Sequence, residues 1–132
     1  MKIAEYFETI KDRLFVVSFV AEFKIIKQVD RSKNRHIRAR VIFTDNSQLE
    51  FSEFVEQNAG DEIQVVTYSY HWSDENDTIL RRWDNTPHFP KLKNFPHHIH
   101  DGKTDKVMPG ALTNIFAILD EIAKVIALSD KP

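Results

Sequence analysis

Five of the chain's six histidines fall between His71 and His100, in the segments YHW, RRWDNTPH and FPHHIHDG. The same stretch, Tyr70 to Gly102, holds both tryptophans, the pair Arg81 and Arg82, and three prolines. Histidine binds divalent metals, moves protons near neutral pH and contacts phosphate. Metal binding needs convergent ligands. His98 and His100 share a face if the chain is extended, whereas His97 and His98 point apart. With His88 or His71 and a carboxylate such as Asp84 or Asp101, they could build a divalent site. No HExxH spacing is present and there is no cysteine, so no metal ligand and no cofactor is assigned. A metal-dependent hydrolase or nuclease stays as an alternative.

Proton transfer at a phosphate fits the residue types better. A metal-independent ribonuclease needs a base for the ribose 2′-hydroxyl, an acid for the leaving oxygen, and cations for the charge that develops at phosphorus. His88, His98 and His100 are the first candidates for acid, base or phosphate contact, with His71 and His97 behind them. Arg82 with Arg81, Lys91 and Lys93 would form the phosphate clamp. Trp83, Tyr70 or Phe95 would stack on an unpaired base. Asp84 and Asn85 count among the substrate contacts, although a carboxylate there also caps backbone amides. A third reading makes the stretch a docking surface with no turnover. Serine and cysteine nucleophiles are disfavoured, since there is no GxSxG and no cysteine, and three glycines make no phosphate cradle.

These residues need a scaffold. Ile3, Tyr6, Phe7, Ile10 and Leu14 recur at helical spacing. From Phe15 to Ile26 the period becomes two, which predicts a long strand. HIRARVIF puts Ile37, Ala39, Val41 and Phe43 on one face and Arg38 and Arg40 on the other. LEFSEFVEQ reads as a short strand with Leu49 and Phe51 inward. IQVVTYSYHW and ILRRWD follow as strands across the turn SDENDT, with Trp72 and Trp83 expected to face each other. Turns this short impose antiparallel pairing. From Asn85 to Lys106 prolines interrupt regular structure, and a loop is expected. A last helix is placed from Pro109, with Leu112, Ile115, Phe116, Leu119, Ile122, Ala123 and Ile126 as its apolar stripe. The fold expected is α+β: a five-stranded antiparallel meander with N- and C-terminal helices packed on one face, in two layers.

The 132 residues suit one domain, 1–132, with 42% hydrophobic and 29% charged residues. No apolar run is long enough for a bilayer, and the N-terminus lacks the pattern of a secretory leader, so a cytoplasmic location is expected. The net charge of −2 hides strong polarity. Residues 24–40 carry seven bases and one acid, and residues 44–77 carry nine acids and no base. Such polarity either makes a polyanion-binding face or pairs across neighbouring strands.

Tyr70, Trp72, Arg82, Trp83, Asp84, Asn85, Pro87, His88, Phe95, Pro96, His97, His98 and His100 form a pattern that resembles the TumE family, toxins of bacterial and archaeal toxin–antitoxin pairs. The resemblance covers Tyr70 to Gly102, about a quarter of the chain. It implies a small cytoplasmic toxin with a cognate antitoxin protein as partner and RNA as target. A homodimer is allowed and no membrane is involved. The family supplies no catalytic residues, so the roles above rest on chemistry alone.

Overall fold

The structure, a computed structural model, describes residues 2–129. It opens with helix α1, Ile3–Val16. Five long or medium strands follow: β1 (Val20–Asp30), β2 (Asn34–Phe43), β3 (Gln48–Gln57), β4 (Ile63–Ser73) and β5 (Ile79–Asp84). Two short strands, β6 (His98–Asp101) and β7 (Lys106–Pro109), precede helix α2, Ile115–Ser129. All seven strands form one antiparallel sheet in chain order. The meander therefore has seven strands where five were expected.

Both helices lie on one face of this sheet. The five α1 residues singled out by their spacing are all buried. They meet the inward residues Ile37, Ala39, Val41 and Phe43 of β2, Leu49, Phe51 and Val55 of β3, and Tyr68, Tyr70 and Trp72 of β4. Ile115, Ile118, Leu119, Ile122 and Ile126 of α2 complete the core. Alternation along each strand fixes the opposite face as polar and uncovered by helix.

Three boundaries differ from expectation, each for a physical reason. Phe15 and Val16 belong to α1 and are exposed, because the helix runs on to the Val17 cap. The register of β1 then slips between Val20 and Glu22 and again between Ile25 and Lys27. Such bulges reset which residues face inward, and Ala21 is exposed as a result. Pro109 ends β7 instead of starting α2; Asn114 caps that helix through Oδ1 to the Ala117 N–H at 3.0 Å. Leu112, outside the helix, is exposed. Finally, β3 is a full ten-residue strand, and an acid, Glu53, occupies its inward position between Phe51 and Val55.

The last turn of the sheet is tightly seated. Gly102 N–H bonds Leu80 O at 3.0 Å, and a Cβ there would lie 1.9 Å from Ile79 O. Only glycine lets the β6–β7 turn approach β5 this closely, which sets the position of His100 two residues earlier.

Candidate functional site on the open face of the sheet

Register across the sheet assembles the site. Arg40 opposes Glu50, Glu50 opposes His71, His71 opposes Arg82, and Arg82 opposes His100. One residue from each of five adjacent strands thus forms a row across the open face, with steps of about 4.8 Å. His71, Arg82 and His100 are its centre, a guanidinium between two imidazoles. Arg38, Ser52, Ser69, Asp84 and His98 form the next row by the same pairing.

Arg82 is aimed by its own strand. Its Nε donates to Asp84 Oδ2 at 2.9 Å, which leaves the two terminal nitrogens without a partner among the described residues. Asp84 is buried and is held in turn. Its Oδ1 accepts from Thr86 N at 3.0 Å and lies 2.9 Å from His98 Nε2, at ion-pair distance. His98 Nδ1 reaches Pro96 O at 3.0 Å. Both His98 nitrogens thus face protein oxygens. The edge contact of Phe89 on His98, with ring centroids 5.2 Å apart, closes the pair off from water. Asp84, packed against His98, therefore positions Arg82, and both His98 nitrogens are turned to protein oxygens.

His71 is the freest of the central groups. It makes no side-chain hydrogen bond with any described residue. Burial and the Arg82 guanidinium hold its imidazole below the ordinary histidine value, with Glu50 and Asp77 pulling weakly the other way. A neutral ring at pH 7 can accept a proton. His100 Nε2 lies 2.8 Å from Asp105 Oδ1. The carboxylate accepts from Nε2, and Nδ1 has no hydrogen-bond partner among the described residues.

Other candidates lie elsewhere. Tyr70 and Trp83 are core residues, opposed to each other in register, so Trp83 faces Tyr70 and not Trp72. Neither ring offers a face to a base. Arg81 is on the helix side, 3.9 Å from Asp101, 4.0 Å from Glu121 and above the Trp83 ring. His97 is there too, with Nδ1 2.8 Å from the Tyr68 hydroxyl and its ring stacked on Tyr68. Asn85 closes the sheet edge: Oδ1 accepts from Tyr68 N at 2.9 Å and Nδ2 donates to Val66 O at 2.8 Å. His88, Lys91 and Lys93 are exposed on the 85–97 loop, with His88 6.4 Å from His98 by ring centroids. Among the described residues no three His, Asp or Glu side chains are grouped to hold a metal ion.

Arg40, Glu50 and the pair His36–Ser52 are additions from β2 and β3. His36 Nε2 is 2.9 Å from Ser52 Oγ, and burial with Lys27 and Arg38 nearby lowers its proton affinity. The only signal for them was parity: they alternate with Leu49 and Phe51 or with Ile37 and Ala39. Lys24 opposes Arg40 and Lys27 opposes Arg38, so the basic segment spreads over this same face.

A family model described as Toxin TumE matches residues 7–126. The chain belongs to the TumE toxin family. The match runs from α1 into the last turns of α2 and so includes every strand that supplies the row. No curated protein and no solved structure matches the chain. Membership in a toxin family implies an antitoxin partner. Among the described residues no helix is long and apolar enough to cross a membrane.

Proposed function

We propose that this TumE-family toxin is a metal-independent endoribonuclease that binds RNA across the open face of its sheet. The observation that carries the reading is the row His71–Arg82–His100, in register on three adjacent strands. In-line attack at phosphorus needs a base and an acid on opposite sides of the phosphate and positive charge at the phosphate itself. A phosphodiester seated over the free end of Arg82 has His71 on one side and His100 on the other. His71 takes the proton of the 2′-hydroxyl, and O2′ forms its bond to phosphorus. The bond to O5′ breaks, and His100 protonates the leaving oxygen. The products are a 2′,3′-cyclic phosphate and a 5′-hydroxyl. Arg38, Arg40, Lys24 and Lys27 attract the rest of the strand.

The test is incubation of purified protein with cellular RNA in EDTA, followed by analysis of the new ends. Cyclic phosphate and 5′-hydroxyl ends are expected. Intact RNA, or cleavage only with added metal, would sink the reading.

A further inference from the structure

We infer that the cavity beside His71 selects guanosine as the nucleoside whose 2′-hydroxyl is attacked, with Glu50 and Arg40 reading the base. This rests on the ribonuclease reading above. The cavity has a volume of about 450 Å³ and is lined by Arg40, Gln48, Glu50, His71, Ser73 and Asp77. That size suits one nucleoside and little more, given that ligand sites span about 300–1,000 Å³. His71 is part of its wall, so a base inside it belongs to the nucleoside whose ribose reaches that imidazole.

Glu50 is placed to read the base and is held only by two ion pairs. It opposes His71 on one side and Arg40 on the other. Its Oε1 is 3.6 Å from Arg38 Nε and its Oε2 is 3.6 Å from Arg40 Nη2. Those are ion-pair distances, too long for hydrogen bonds. No described residue donates a hydrogen bond to this carboxylate. Asp77, by contrast, is engaged by Gln48 Nε2 at 2.6 Å and closes the rim.

A carboxylate beside a guanidinium presents two acceptors and then donors. The pairing edge of guanine presents the amino group, N1–H and O6: two donors and then an acceptor. The two patterns are complementary, and the bonds to Glu50 are charge-assisted. Adenine, cytosine and uracil have no two adjacent donors on that edge. Hypoxanthine, which lacks the amino group, keeps one of the two bonds to the carboxylate. The exposed Arg38–Glu50–Arg40 bridge contributes little to stability, so its removal leaves the fold intact.

The experiment titrates the full chain with guanosine, inosine, adenosine, cytidine and uridine 3′-monophosphates, followed by NMR. Guanosine should bind roughly ten- to hundredfold tighter than adenosine, with inosine between. Glu50→Gln should erase the preference at unchanged thermal unfolding, and Glu50→Asp should reduce it. Equal affinities, no binding, or a guanosine preference that survives Glu50→Gln overturns the inference. RNA cut without base preference also removes it, while leaving the cleavage reading in place. Selective guanosine binding by a protein that cuts no RNA keeps the site and removes cleavage.

Discussion

Glu53 and Glu50 sit three residues apart on β3 and live in different worlds. Glu53 points into the helix-covered face and is fully buried. It accepts hydrogen bonds from the Tyr6 hydroxyl at 2.6 Å, from the Tyr70 hydroxyl, and from Ile115 N at 2.9 Å. One carboxylate thus ties α1, β4 and the first residue of α2 to the sheet. Glu50 points to the open face, beside two arginines and His71, and accepts no hydrogen bond from a described residue. The covered face satisfies the Glu53 carboxylate internally, as buried charged groups require, although Trp83 Nε1 stays buried there without a hydrogen-bond partner among the described residues. The open face leaves the His71 ring, the Glu50 carboxylate and the Arg82 terminal nitrogens without hydrogen-bond partners among the described residues, which suits a ligand-binding surface. Stability should therefore answer to one face and activity to the other.

The largest effect tests the open face. His71→Ala should lower RNA cleavage by roughly 10²- to 10⁴-fold, the usual contribution of a general base. Thermal unfolding should shift by no more than about 0.5 kcal/mol equivalent. A comparable loss of stability would make His71 a structural residue and break the contrast.

Next comes Glu53→Ala, which strands two tyrosine hydroxyls and a helix N–H in the core. About 3–5 kcal/mol should be lost in chemical denaturation, as when one partner of a buried charged network is removed. The same residue gives a pH signature. Burial raises the Glu53 carboxyl above its ordinary 4.5. The folded chain therefore holds that proton more tightly than the unfolded chain. The associated stability is complete below pH 4.5 and is lost as pH rises through the folded-state value. Glu53→Gln should abolish that loss, so denaturation curves of variant and wild type should converge at low pH and separate as pH rises.

A smaller shift concerns His71. Its lowered proton affinity keeps it neutral below the ordinary 6.5, so the acidic limb of kcat/KM should have its midpoint below that value. Arg82→Gln removes a positive neighbour and should move the residual limb upward. A limb at or above 6.5 in the wild type would argue against His71 as the base. The smallest effect belongs to Asp120→Ala, which removes an exposed interhelix pair with Arg13 at 3.7 Å. Unfolding should change by about 0–1 kcal/mol, with cleavage unaffected.

The sequence made the covered face readable and the open face only in part. The α1 core residues followed from helical spacing alone. The meander followed from short turns, although β6 and β7 did not, because four-residue strands after three prolines carry too few alternations to register. Parity put His98 and His100 on one face and separated His71 from Trp72. It could not show that His98 is spent on Asp84 and Pro96, since both bonds depend on the loop folding back. Glu50 and Arg40 were invisible as site residues because some thirty to sixty residues separate them from Arg82 and His100 in the chain. Glu53 was missed for a different reason: only a short strand with Leu49 and Phe51 inward was expected there, and the acid two residues on shares their inward parity.

The most direct measurement asks which face RNA touches. Isotope-labelled protein should be titrated with a short guanosine-containing RNA made uncleavable by 2′-O-methylation, and its NMR spectrum followed. Shifts should concentrate on His71, Arg82, His100 and neighbouring open-face residues of β2 and β3. Shifts confined to α1 and α2, or no shifts at all, would contradict the assignment of function to the open face.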